Sequence, residues 1–373
     1  MLSGKLPQTP ARREACFRIR SANARRTVRT RRSAMDTSAT APARATLAQV
    51  AERAGVSLKT ASRALSGETY VAETTRERVV SAAVELGYQR NSAASLLASG
   101  RLADSIGLVT GDFTNPFYSA IAQAFEDEIR PHGIHLSVAN SGESVERERL
   151  LAADLADRQS KALVLVSAMP EHSGYAPLMG RGIPVVFVDR PPVGIEADSV
   201  IFDNRTGGRL AAEHLREQGH TRIAFIGDYS WLPTFRGRLD GMGDVLDSEA
   251  STWRGLLRTD AHDVDSARAR TAELLALDEP PTALVAGNNR ILLGMTEQLA
   301  PIEHGSRPAI VAFDDVEWAR VLGITVVTGD VEELGRRAAR LATGRLADRA
   351  HPAENVELPM RLVARASSNR GPR

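Results

Sequence analysis

Thr46-Leu-Ala-Gln-Val-Ala-Glu-Arg-Ala-Gly55-Val-Ser57-Leu-Lys-Thr-Ala-Ser-Arg-Ala-Leu65 reads as two short helices joined by a tight turn. Thr46 can cap the first helix, and Gln49 stands three residues on, the spacing of a capping box. Leu47, Val50, Ala51 and Ala54 recur at helical spacing and form its apolar stripe. Gly55 tolerates the positive φ that ends a helix and turns the chain. Val56 can then plug the gap between the helices, and Ser57 is a good N-cap for the second. Ala61, Ala64 and Leu65 are expected to face inward, and Ser66-Gly67 to end the helix. Ser57, Leu58, Lys59, Thr60, Ser62 and Arg63 are left over for a partner. A helix-turn-helix presents such a face to the DNA major groove. An ordinary helical hairpin with a solvated face fits the same local pattern, so the neighbouring chain must decide between them.

Glu73 to Leu86 reads as a third helix, with Val79, Val80, Ala83 and Val84 on its inner side and Gly87 as its stop. Tyr88-Gln-Arg-Asn91-Ser-Ala-Ala-Ser-Leu-Leu97-Ala-Ser-Gly100 follows. Taken with the first two helices, this run resembles the lactose-repressor (LacI/GalR) family of bacterial transcription regulators. The resemblance implies three helices and then a short hinge helix over residues 91–98, with Asn91 near its start and Leu97 near its end. Paired hinge helices would enter the minor groove, where Leu97 wedges a base step. On the second helix, Lys59, Thr60 and Arg63 suit base-edge or phosphate contacts and Leu58 a thymine methyl, while Ser57 and Ser62 suit phosphate. Arg90 departs from the family, which usually has Pro before the hinge Asn. Arg90 does not pre-set φ as Pro would, so the hinge helix is expected to depend more on DNA to form.

At 373 residues, 43% hydrophobic and 25% charged, the chain has ordinary globular composition and room for more than one domain. No apolar run approaches a membrane span. Cys16 is the only cysteine, so a disulfide framework within the chain is impossible, which fits a reducing compartment and a cytoplasmic regulator. The net charge of +1 hides an asymmetry: +9 over residues 1–45, +2 over 46–101 and −10 over 102–373. A basic front and acidic body suit a protein that sets its front on phosphate. The first 45 residues lack hydrophobic periodicity and an h-region, and read as a disordered basic extension rather than a secretory signal. Met35 stands eleven residues before Thr46, close to where such regulators begin. Translation is expected to start there; the alternative is a basic arm that adds nonspecific DNA affinity.

From residue 105 short apolar runs alternate with helices. Strands are expected at 105–110, 134–139, 162–167 and 184–190, separated by helices from 117, 145 and 176. A second series follows: helix 204–218, strand 222–227, helix 236–246, helix 264–277, strand 282–286, helix 289–299, strand 309–313, strand 325–327 and helix 331–343. This pattern describes an α/β body of two doubly wound parallel-sheet lobes over residues 102–373, behind an all-α head over 46–101. Ligands in open α/β sheets bind beyond the carboxyl ends of strands. There stand Asp112 and Phe113, then Phe117 and Tyr118; Asp189 and Arg190; Asn288; and Asp314 with Asp315, while Arg238 sits on the helix after the 222–227 strand. Carboxylates, amides and guanidinium groups over aromatic faces can hold a polyol or sugar. For Asp189 and Asp315 a loop cap or salt bridge is an equal alternative.

The resemblance extends over residues 46–367, through Asp112-Phe-Thr-Asn-Pro-Phe117, Ile183-Pro-Val-Val-Phe-Val-Asp-Arg190, Asp203-Asn204, Ala211-Ala-Glu-His-Leu215, Gly219-His220 and Phe313-Asp-Asp315. It implies a periplasmic-binding-protein-like body in which Arg238, Asn288 and Asp314 contact a small-molecule effector and Phe117 and Tyr118 supply pocket aromatics. Gly329, where the family often has Gln in the final crossover, and the short loop 300–308 depart from it. The expected partners are a double-stranded, pseudo-palindromic operator and a sugar-like effector, with the chain a homodimer; tetramer formation and the sign of regulation stay open. No G-x-S-x-G elbow, Walker loop, H-E-x-x-H or cysteine pair points to an enzyme, a metal or a cofactor. An exported sugar-binding protein would share the body but need a signal and have no use for residues 46–101.

Overall fold

The computed structural model describes residues 45–66, 70–88, 104–247 and 253–369. The hinge expectations at Asn91 and Leu97, together with Arg90, Met35 and Cys16, lie outside the described residues. The chain divides into two compact units at Asn91–Ser92.

In the first unit, α1 (Leu47–Ala54) and α2 (Leu58–Leu65) form the expected pair, followed by α3 (Glu73–Glu85). Thr46 and Gln49 close a reciprocal capping box, Gly55 ends α1 in the left-handed region at φ 65°, and the Ser57 hydroxyl caps α2 by accepting from the Thr60 N–H. The core is built from Val50, Ala51, Ala54, Ala61, Ala64, Val79, Ala82 and Ala83. Side chains this small let the helices approach closely. Arg78 donates to the Ala54 carbonyl at 2.7 Å, satisfying one of the orphan acceptors at the end of α1. One expectation fails: Val80 and Val84 are 45% and 76% exposed, and Ala82 takes an inner place. Val79, Ala82 and Ala83 follow the i, i+3, i+4 rule that defines one helical face, and Val80 and Val84 form the adjacent stripe.

The second unit has two lobes. Lobe 1 contains β1 (Ser105–Thr110), α4 (Pro116–Ile129), β2 (His135–Asn140), α5 (Val145–Asp157), β3 (Leu163–Leu165), α6 (Ala176–Gly180), β4 (Val185–Val188) and β5 (Asp198–Phe202). The chain then enters lobe 2 through α7 (Asn204–Glu217), β6 (Ile223–Ile226), α8 (Pro233–Leu246), β7 (Leu257–Arg258), α9 (Val264–Leu275), β8 (Ala283–Ala286), α10 (Asn289–Leu299), β9 (Ala309–Phe313), α11 (Glu317–Val321) and β10 (Thr325–Thr328). It returns to lobe 1 for α12 (Val331–Ala347) and β11 (Asn355–Leu358), and crosses back for β12 (Arg361–Val363). The sheet orders are β11-β5-β4-β3-β1-β2 and β12-β10-β9-β8-β6-β7. All pairs are parallel except β10 with β12. The α/β class read from the sequence is therefore the observed one. Helix 331–343, last of the second series along the chain, packs in lobe 1 against α4, β4 and β5. There Arg345 clamps the buried Asp198 with its guanidinium, one bond measuring 2.8 Å. Four strands escaped the sequence reading: β5, β7, β11 and β12. Each is short, begins with or carries polar residues, and finds its place only by pairing.

Three crossovers, after Phe202, Thr328 and Leu358, join the lobes. Gly329 sits in the second, where an added Cβ would lie 2.1 Å from the Phe202 ring in the first. Glycine stands at this departure from the family because the Phe202 ring fills the space a side chain would need.

Candidate DNA-facing helix and interlobe site

On α2 the buried side is Ala61 and Ala64, with Leu65 half-buried. Ser57, Leu58, Lys59, Ser62 and Arg63 are exposed, and Leu58, at 54%, is an apolar side chain left in water. Thr60 is half-buried, its hydroxyl 2.8 Å from that of Ser57. The structure thus gathers the six expected residues on or beside one outward face, with Ser57 and Thr60 also occupied in capping the helix.

The interlobe site lies at the carboxyl ends of the strands. Helices α7 and α8 cross so closely that a Cβ at Gly208 would lie 2.0 Å from the Arg238 carbonyl oxygen. That contact fixes α8 and aims Arg238 inward. The Arg238 guanidinium lies 4.3 Å from the Phe313 ring centroid and donates to Asn204 Oδ1 at 2.8 Å and to the Gly287 carbonyl. Asp189 and Asp314 follow β4 and β9, one in each lobe, and both adopt left-handed backbone, φ 69° and 73°. Such conformations cost energy for a residue with a Cβ and cluster at functional sites. Asp314 Oδ2 accepts from the Asn289 N–H and side-chain amide, and that amide also donates across the cleft to Asn115 Oδ1 at 2.8 Å. Asn115 caps α4, so one side chain both starts a helix of lobe 1 and latches it to lobe 2.

These groups enclose a polar cavity of about 50 Å³, lined by Asn115, Phe117, Tyr118, Asp189, Arg190, Asp228, Leu232, Thr234, Phe235, Arg238, Gly287, Asn288 and Asp314. This is room for a few water molecules, and the Asn289–Asn115 hydrogen bond spans the cleft beside it. Trp231 of lobe 2 stacks on Tyr229 and lies 5.9 Å below the Arg190 guanidinium of lobe 1. Burial pushes the Asp189 carboxyl up from 3.8 to about 6, against the pull of Arg190 and Arg238. Burial likewise raises Asp228 and holds Tyr118 neutral. A larger groove of about 790 Å³ runs along β5 and β11, lined by residues including Pro191, Ile195 and Val356, and shares no residue with this cavity.

Six of the eight expected effector residues line the cavity: Phe117, Tyr118, Arg190, Arg238, Asn288 and Asp314. Asp112 and Phe113 do not. Phe113 is 52% exposed, and Asp112 turns back onto the Thr114 hydroxyl and faces Arg290 at 4.0 Å. The loop carries them past the strand end to the rim. Asp315 takes the alternative role, an ion pair with Arg365 at 2.7 Å, whereas Asp189 joins the cavity. His214 bonds the Ser368 hydroxyl and His220 the Thr282 hydroxyl, both away from the cavity. The sequence reading missed Asp228, Asn115, Asn289 and Glu143. Asp228 directly follows the segment 222–227 read as a strand, and the strand-end rule applied there would have found it.

A helix-turn-helix head followed by a two-lobed α/β body with a polar cavity between its lobes is the architecture of a DNA-binding regulator with a periplasmic-binding-protein-like body. The family profile for bacterial regulatory proteins of the lacI family matches residues 46–91, and that for the periplasmic binding protein-like domain matches residues 212–368. The chain is 30% identical over 334 residues to the HTH-type transcriptional regulator PtxS of Pseudomonas aeruginosa, covering 87% of this chain and 96% of that one. It is 29% identical over 331 residues to the ribose operon repressor of Bacillus subtilis, with coverage of 87% and 99%. The crystal structure of the lac repressor dimer bound to operator and the anti-inducer ONPF superposes with a TM-score of 0.73 at 25% identity, covering 87% of this chain and 99% of that one. The chain belongs to the lacI family of bacterial regulatory proteins, and is a DNA-binding transcriptional regulator.

Proposed function

We propose that the protein is a cytoplasmic repressor, and not an enzyme, that binds a pseudo-palindromic operator as a homodimer and is switched by a small sugar-like effector held between the lobes of its body. The carrying observation is the joining, in one chain, of an exposed polar recognition face on α2 to a body whose lobes close over acceptors, donors and aromatic rings. Lys59, Thr60 and Arg63 read base edges or phosphate, Leu58 meets a thymine methyl, and Ser57 and Ser62 position the backbone. Asn91 and Leu97 serve the hinge. Phe117, Tyr118, Arg190, Arg238, Asn288 and Asp314 hold the effector, with Asp112 and Phe113 at the rim.

A sugar hydroxyl both donates and accepts, so the buried Asp189 and Asp314 and the half-buried Asp228 can accept hydrogen bonds from it while Arg190 and Arg238 donate to it. The effector acts by binding the open and closed arrangements unequally. Coupling of about 1–3 kcal/mol, common among regulated proteins, changes operator affinity 5- to 150-fold. The relatives' printed names, a ribose operon repressor among them, support the sugar class.

The test is fluorescence anisotropy on the promoter DNA of the chain's own operon, over a salt series, with and without a panel of sugars. Retention that falls steeply with salt and shifts with one sugar is expected. Absence of any bound species at low salt refutes operator binding, and indifference to every sugar refutes the effector class.

A further inference from the structure

Glu143 follows β2 on the Gly142 turn and has φ 58°, again left-handed. Its carboxylate is folded back over the strand end: a Cβ on Gly111 would lie 1.9 Å from Glu143 Oε1. So placed, it meets Arg190 face to face. Arg190 Nη1 donates to Glu143 Oε2 and to the Ser167 carbonyl, and Nη2 donates to Glu143 Oε1, all at 2.7 Å, while Nη2 also reaches the Tyr118 hydroxyl at 3.2 Å. The Arg190 side chain is 4% exposed and that of Glu143 18%. The bidentate fork with which an arginine recognises a phosphate or carboxylate is thus already filled from within the chain. Only Nε is without a partner, and the Asp189 carboxylate is 3.7 Å from it. That pair can share a hydroxyl, which accepts from Nε and donates to the carboxylate.

The rest of the cavity points the same way. Asp189, Asp228 and Asp314 line it, against Arg190 and Arg238. Arg238 is engaged by Asn204 and Gly287. At the rim, Arg290 already faces Asp112. An anionic ligand would enter among three carboxylates, with the Arg190 fork filled by Glu143 and the Arg238 guanidinium already held at Nε and Nη1.

We propose that Glu143 is a specificity-determining residue: by neutralising Arg190 internally it reserves the interlobe site for an uncharged polyhydroxylated ligand and rejects phosphorylated or carboxylated sugars. The inference rests on the interlobe cavity being the effector site. Its physical core is testable without knowing the effector, because removing Glu143 must create an anion site where none was available. A buried guanidinium stripped of its partner is strongly destabilising, and an added anion that takes its place restores stability by mass action.

The experiment measures thermal unfolding of the full chain by tryptophan fluorescence in rising formate, inorganic phosphate and D-ribose 5-phosphate, against chloride at matched ionic strength. The Glu143→Ala variant should melt lower than wild type and regain stability saturably with each anion. Wild type should show at least tenfold weaker anion dependence, and the combination of Glu143→Ala with Arg190→Met should show none. Glu143→Gln, which keeps side-chain length, carries the same test should the alanine variant not fold. Equal anion response in wild type and variant, response in neither, or response that survives removal of Arg190 overturns the proposal. Operator retention by the same variant, measured separately, keeps such a failure distinct from failure of the regulatory reading.

Discussion

Asp189→Asn should stabilise the body at neutral pH and do so less as the pH falls. Asp189 is 6% exposed, and burial lifts its carboxyl from 3.8 to about 6. The folded state therefore binds this proton more tightly than the unfolded chain, and ionising the group opposes folding. Below about pH 3.8 both states are protonated and the penalty is absent; it grows as the pH rises towards 6 and is complete above that. The span of about 2 pH units, at about 1.4 kcal/mol each, sets the full penalty near 3 kcal/mol. The asparagine carries no such term, so the stability gap between variant and wild type should widen by about 2 kcal/mol from pH 4 to pH 7. Titrations common to both chains cancel in the difference. Urea unfolding followed by tryptophan fluorescence at several pH values makes the measurement, because Trp231, Trp253 and Trp318 all lie in the body. A gap that stays constant across this range refutes the argument that burial holds Asp189 at a cost. Asparagine should also impair effector binding, since a carboxylate kept at such expense in a cavity is poised to accept hydroxyl protons. In wild type those protons favour the ionised form, so effector affinity should rise as the pH passes upward through about 6.

Arg238→Ala removes the donor to Asn204 and Gly287 and should abolish the effector response while leaving operator affinity nearly intact; a normal response in anisotropy titrations refutes the pocket assignment. Gly329→Ala places a Cβ 2.1 Å from the Phe202 ring, so the crossovers must shift; a loss of about 1–3 kcal/mol in body stability is expected from denaturant midpoints. Ser57→Ala deletes the cap on α2 and should cost about 1 kcal/mol, read as faster hydrogen exchange of the α2 amides. Lys59→Ala should weaken operator binding, and should lower the slope of log affinity against log salt by about 1 if its contact is with phosphate.

Most of the secondary structure was legible because it is locally encoded. Thr46, Gln49, Gly55 and Ser57 set the bounds of the first two helices within a few residues of chain, and β1 and α10 fell at their expected ends. The inner face of α3 is Val79, Ala82 and Ala83 rather than the stripe with Val80 and Val84, because contact with α1 and α2 selects which of two adjacent apolar stripes is covered. The strands β5, β7, β11 and β12 were illegible because their sequences carry little period, and neighbouring strands supply their order.

The strand-end rule found the region of the site but not its pairing. That Asp189 and Asp314 stand near a ligand cleft follows from where the strands stop. That Arg190 is answered by Glu143, 47 residues earlier, or that Asn115 reaches Asn289, 174 residues later, does not. Sequence alone determined the helix caps, the alternation of strands and helices, and the charge contrast between front and body, since each depends on neighbours along the chain or on composition. Tertiary structure alone decided which charges neutralise one another, which strand-end residues face inward, and that α12 returns to lobe 1, because those outcomes depend on distances set by the packed lobes.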